Sequence, residues 1–250
     1  DGGADAKDVA QSFNLSSGTT GITATAITKA NITAISKATT ISFTLKGKSD
    51  TASTVNATIT SISNLTALKD AINSVSGATG ISASLTTDLS GINLVQQDGF
   101  DIVIGGVSTT ATATMSVDAA DKSGVGVGAA QALGGTTTTD SIGIIGQVSL
   151  SSHKAFTVAP GVATNHFSTG TTAETSSLQS MGKVDISSQV GATKALSVID
   201  GAIAMISEVR SEMGAAENRL TSTVDNLSNV SVNTQRSLTS VEDANFASET

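Results

Sequence analysis

The chain has 250 residues, 38% hydrophobic and only 14% charged, and its 21 acidic and 13 basic side chains give a net charge of -8. That balance, with no basic patch and no aromatic stacking platform, argues against nucleic acid or an anionic membrane surface as a partner. The absence of cysteine excludes disulfides, thiolate nucleophiles and cysteine-ligated zinc.

This length admits one large domain or two to three small ones. With six Phe and no Tyr or Trp, the cores should be small and built from β-branched and short side chains. Ser, Thr and Asn carry the solubility of the first 190 residues. No apolar run reaches the roughly 20 residues of a bilayer-spanning helix. The opening DGGADAKDVA is acidic and lacks an apolar signal core. This predicts a cytoplasmic protein, export by a route that reads no cleaved signal, or a piece of a longer chain.

The N-terminal part repeats itself. SSGTTGITATAIT (16–28) returns as VSGATGISASLTT (75–87), offset by 59 positions. Before each copy, Val9/Phe13 and Leu68/Ile72 stand at helical i, i+4 spacing. Glycine and hydroxyl residues follow, and they favour a turn. Then ITATAIT and ISASLTT alternate with the period of a half-buried strand. Each copy therefore predicts helix, turn, strand. TISFTLKG (40–47) and GINLVQQDGFDIVIGG (91–106) predict further strands, the second holding a hairpin turn at Asp98-Gly99. Neither glycine turn has a Lys or Arg nearby to meet a phosphate, so both turns are read as structural.

Residues 107–172 are nearly low-complexity. Short strands are expected in ATATMSV, IGIIGQVSL and KAFTVA, while GVGVGAAQALGG (124–135) is expected to be a mobile loop or a short helix. From about residue 189 helix signals take over, and the chain's one proline, Pro160, lies outside this region. A helix over 190–250 would span roughly 90 Å at 1.5 Å per residue, the length of a rod or coiled coil.

A heptad count supports that. One seam position collects Ile199, Ile206, Met213, Leu220, Leu227, Thr234 and Val241. Its partner position collects Ile203, Arg210, Glu217, Val224, Ser231, Leu238 and Asn245. The first is apolar but for Thr234, while polar groups break the second. A strict two-stranded coil wants both apolar. A bundle with extra contacts from Val209, Ala216 and Val230 fits better. So polar a helix needs partner helices to be stable. A membrane-surface role is disfavoured because acidic groups outnumber basic ones on the polar face.

The overall expectation is an α+β fold: small β-rich modules with short helices, built on the duplicated helix-turn-strand unit, followed by one long helix of rod or bundle type. The expected domains are 1–106, 107–172 and 173–250.

Particular residues of the C-terminal part resemble a known family. Ile199-Asp200, Gly214 to Leu220 (GAAENRL), Asp225-Asn226-Leu227 and VEDANFASET (241–250) are similar to the C-terminal helical region of bacterial flagellin. The stretch LKDAINSVSGATGISASL with DGFDIVIGG resembles the flagellin insert motif. Glu217 and Asn245 depart from the family pattern, as minor changes. The resemblance marks Asn218, Arg219, Glu242, Asp243 and Phe246 as family-motif positions. It implies an extracellular filament subunit that self-assembles through helical inner-tube packing, with its outer modules exposed. It also implies that Ile199, Ile203, Ile206, Met213, Leu220, Val224, Leu227, Leu238 and Val241 pack against helices of other subunits. An N-terminal helical region outside these 250 residues is a further expected partner. Delivery by the flagellar export apparatus, an export chaperone, a Toll-like receptor surface and O-glycosylated outer Ser and Thr are implied in the same way; no receptor-contact residue is carried over.

A catalytic reading finds no constellation. His153 and His166 stand thirteen apart with no metal spacing and only Glu174 as a nearby carboxylate, and the zinc-protease motif is absent. No cofactor or metal is expected. The alternative to a filament subunit is a flagellin-like surface protein whose outer part binds a polysaccharide or a host partner. The stripe on the long helix is expected either to be frayed or to be covered by a neighbouring molecule.

Overall fold

A computed structural model of the chain describes residues 4–110, 112–135, 139–159, 173–187 and 189–249. It divides into two compact units, Asp1–Ser176 and Ser177–Thr250. In chain order the first unit holds α1 (Ala6–Leu15), α2 (Ser17–Thr20), β1 (Ile22–Ile35), β2 (Thr39–Lys46) and β3 (Ser53–Ile59). It continues with α3 (Thr66–Ser74), α4 (Ser76–Thr79), β4 (Ile81–Leu85), β5 (Ile92–Gln96) and β6 (Ile102–Thr109). Then come β7 (Met115–Ala120), β8 (Gly126–Leu133), β9 (Ile142–Ile144), β10 (Gln147–Ser152), β11 (Thr157–Val158) and β12 (Glu174–Thr175). The second unit holds a 3₁₀ turn (Met181–Lys183) and α5 (Gln189–Glu249). The fold is α+β.

Two antiparallel sheets form the first unit. One runs β4-β5-β1-β7-β8, with β10 on the N-terminal half of β1; the other runs β3-β2-β6-β9. β11 and β12 make a separate two-stranded ribbon. Strand β2 alternates buried and less buried residues along its length, the period-two pattern of a half-buried strand. Its Ile41, Phe43 and Leu45 enter one core with Ile32 of β1, Val55 of β3, and Leu68 and Ile72 of α3.

The duplicated unit is reproduced down to its hydrogen bonds. In the first copy the Asn14 amide donates to Ala24 O (2.9 Å) and accepts from Ala24 N (2.8 Å). In the second copy Asn73 makes the same pair with Ala83, at 2.9 and 2.8 Å. Ser17 and Ser76 hydroxyls donate to the carbonyls of these asparagines, both at 2.7 Å. Each copy then leaves its short helix through a left-handed glycine, Gly21 (φ 66°) and Gly80 (φ 69°). Substituting either with Ala places a Cβ in the left-handed region, at a cost of about 1–2 kcal/mol. Gly80→Ala should cost more than Gly21→Ala. Its Cβ would stand 3.1 Å from Gln96 Nε2, whereas at Gly21 the nearest atom, His153 Cε1, is 3.6 Å away. Urea unfolding of the two variants checks that order.

Several expectations are corrected. Asp98-Gly99 does turn the chain (Gly99 φ 82°), but β5 and β6 do not pair as a hairpin. β5 lies between β4 and β1 in one sheet, and β6 between β2 and β9 in the other. Gly99 O accepts the Lys7 N–H at 3.2 Å, and a Cβ on Gly99 would collide with Ala26, so this turn serves a close crossing between layers. Gly124–Gly135 is neither loop nor helix: it contains β8, which pairs with β7. IGIIGQVSL splits into β9 and β10, which join different sheets. The expected boundary at 106/107 falls inside β6, and β7, β8 and β10 join the sheet of β1. One compact unit therefore stands over Asp1–Ser176 where two domains were expected. Residues 160–172, with Pro160 and His166, lie outside the described residues.

One buried charge is poorly served. Asp118, on β7, is 9% exposed, and its Oδ1 has no hydrogen-bond partner among the described residues. Burial raises its pKa above the ordinary carboxylate value. The folded state therefore binds this proton more tightly than the unfolded chain, and stability falls as pH rises from the unfolded value near 3.8 through the raised one. Asp118→Asn should raise the melting temperature at pH 7, and the gain should vanish below the unfolded pKa. Thermal melts at pH 3 and pH 7 read this directly.

Candidate helical interface

α5 is a single helix of 61 residues. It contains no proline, so no backbone donor is lost and no ring clashes with a preceding carbonyl. At 1.5 Å per residue it is about 90 Å long. Several of its hydroxyl residues bond within the helix. Thr223 donates to Arg219 O (2.7 Å), Thr234 to Val230 O (2.8 Å), Ser237 to Asn233 O (2.9 Å) and Thr239 to Gln235 O (3.0 Å). These bonds turn the hydroxyls back on their own backbone.

The helix is continuous, so of the two expected outcomes, a frayed stripe or one covered by a neighbouring molecule, the structure does not show the first. The predicted packing residues Ile199, Ile203, Ile206, Met213, Leu220, Val224, Leu227, Leu238 and Val241 all lie on it, with exposures from 38% to 68%. Among the described residues nothing covers this row. The structure adds Leu196 (64% exposed), one heptad before Ile203 on the same seam position, and Met205 (55% exposed), which stands off the heptad and broadens the stripe. Plain 3.6-residue periodicity was the signal for them. Asn218, Arg219 and Glu242 are exposed on α5. Asp243 and Phe246 fall in its last turns, and their side chains lie outside the described set.

The row has a handedness. A strict seven-residue repeat drifts about 20° per heptad around a straight helix. Ile199 to Val241 spans six heptads, so the stripe turns by roughly 120° along α5. A partner that follows it must wind left-handedly.

The other candidate residues are not brought together as a reactive centre. His153 lies beside the turn at Gly21, and Glu174 is on β12. Among the described residues no three His, Cys, Asp or Glu side chains are grouped to hold a metal ion, and no helix is long and apolar enough to cross a membrane.

A β-rich unit followed by a long helix with an exposed, heptad-spaced apolar row places the chain in a class of α+β proteins that end in a rod-like helix. Comparison with known proteins gives the class its family. Residues 196–250 match the bacterial flagellin C-terminal helical region, and residues 40–98 match the flagellin hook IN motif. The chain is 32% identical over 203 residues to the B-type flagellin of Pseudomonas aeruginosa, covering 79% of this chain and 41% of that protein. It is 42% identical over 72 residues to flagellin E of Vibrio cholerae, covering 29% of this chain and 19% of that relative. It is 34% identical over 71 residues to polar flagellin C of Vibrio parahaemolyticus, covering 28% and 18%. The chain belongs to the bacterial flagellin family, and it spans about two-fifths or less of the length of these relatives.

The matched regions coincide with structural elements. The first covers α5 from Leu196 onward, and the second covers all but the first residue of β2 and then β3 to β5 with the second copy of the duplicated unit. The first copy precedes the second match.

Proposed function

We propose that this chain is part of a structural subunit of the bacterial flagellar filament, outside the cell, and that α5 is its assembly element. The observation that carries the reading is the coincidence of the uncovered seam on α5 with the segment matching the flagellin C-terminal helical region. A helix of this length is not stabilised in water by propensity alone, so its apolar row calls for other helices. Those of neighbouring subunits, and flagellin helices outside residues 1–250, have the matching chemistry. The β-rich unit then serves as the outward-facing part, and the protein acts by assembling, without catalysis.

The seam has a direct test. The 250-residue chain alone should remain unpolymerised under conditions in which a full-length flagellin carrying this segment forms filaments. Electron micrographs showing long filaments of the chain alone would refute the assignment of assembly to helices outside it.

A further inference from the structure

The strand edges of the first unit are not all protected. An open edge presents a row of unpaired N–H and C=O groups that templates pairing with another chain. On β4, the Asn73 amide takes both the N–H and the C=O of Ala83. On β1, Asn14 does the same for Ala24. β8 is interrupted by a register shift and by Gly128 at φ 86°. β9 is three residues long, and β10 is half-buried at every residue but Ser151.

β3 has none of these devices. Its seven residues pair one to one with β2, from Thr39↔Ile59 to Leu45↔Ser53, without a bulge. No second strand pairs with it, and among the described residues no other backbone hydrogen bond reaches it. Thr54, Asn56 and Thr58 are exposed on one face, while Val55, Ala57 and Ile59 enter the core on the other. No charged residue and no proline occurs over 51–68.

We propose that β3 is a self-association edge, on which the β3 strands of two copies of this chain pair antiparallel about a twofold axis at Asn56. Two features of the strand select a second copy as the occupant. The first is self-complementarity. The twofold sets Asn56 opposite its counterpart, Thr54 opposite Thr58, and Val55 opposite Ala57, so amide meets amide, hydroxyl meets hydroxyl and apolar meets apolar. The second is charge. Two copies at net charge -8 repel, and this uncharged stretch lets them approach without like charges opposed. One seven-residue edge buries less than the roughly 1,200 Å² of a standard stable interface, so the pairing is weak between free chains. In a filament, if the proposed function holds, the fixed spacing of subunits supplies the effective concentration that favours it.

The chain has no cysteine, which makes the test clean. In the 250-residue chain, Asn56→Cys places the two sulfurs on directly opposed residues, with Cβ atoms about 4.5–5.5 Å apart. Mild oxidation should convert it to a disulfide dimer at least about five-fold faster than Ser84→Cys, an exposed position on the clipped edge of β4. Adding Thr54→Lys and Thr58→Lys opposes lysines across the axis, and should bring the rate down to the Ser84→Cys level with the melting midpoint unchanged. Equal rates at positions 56 and 84, no disulfide at 56, or a fast reaction that survives the lysines each overturns the proposal. Sedimentation of the lysine variant separates the edge from α5. A dimer that persists there with no preference for position 56 assigns self-association to the α5 row instead. None of these outcomes depends on filament formation, so they stand apart from the test of the assembly seam.

Discussion

Replacing Leu220 and Leu227 together with Glu, in a full-length flagellin carrying this segment, should abolish filaments. The two leucines share one seam position a heptad apart, and both are more than 60% exposed in the chain. Burying each in an assembled bundle contributes about 1.5–3 kcal/mol. A carboxylate in the same place replaces that gain with a desolvation cost of several kcal/mol. A combined loss of about 5 kcal/mol lowers an association constant by more than about a thousandfold. Ser222→Glu, an exposed substitution facing away from the leucine row, should leave assembly intact. Electron microscopy and sedimentation of polymer read the outcome, and the melting of the Asp1–Ser176 unit should not move in either variant. Normal filaments from the Leu220/Leu227 double variant would remove α5 from the assembly surface.

Phe43→Ala should be the most damaging single truncation in the β-rich unit. Phe43 is 1% exposed, is the largest fully buried side chain, and stands on β2 directly across from Val55 of β3. With so few aromatic residues, no neighbour of similar volume is at hand to refill the space. The expected loss is about 3–5 kcal/mol. For a unit of this size it corresponds to a melting-temperature drop of roughly 10 °C. A loss below about 1 kcal/mol would mean that the core collapses around the cavity and that its packing is looser than the structure shows.

What the sequence revealed and what it hid divide along physical lines. Period and local turn chemistry were legible. The i, i+4 pair of Leu68 and Ile72, the glycine at 80 and the alternation after it together specify helix, turn and strand. The long helix was equally plain, because nothing after Pro160 breaks it. Choice of pairing partner was not legible. Asp98-Gly99 reverses the chain as such a dipeptide should, yet which sheet receives β6 is decided by Val103 and Ile104 meeting Lys46 and Leu45 of β2. The GVGVGAAQALGG segment has weak strand propensity, and it becomes β8 only because β7 offers it a ladder. The Asn14 and Asn73 clips had one available signal, the recurrence of Asn at the 59-residue offset beside more conspicuous glycines. On α5 the apolar row was visible, but a row of leucines and valines does not name what covers it.

The crossing of strands between layers has a kinetic consequence. Ile22 of β1 pairs with Ser152 of β10, residues 130 positions apart, so the larger sheet cannot close until nearly the whole unit has been delivered. Pairings this distant in sequence raise the contact order, and β-rich domains built on them fold on the millisecond-to-second scale, whereas helix–coil exchange in an isolated segment takes about a microsecond. The β-rich unit is therefore the slow part of this chain's folding, and the helical segment can form and melt many times before that unit locks.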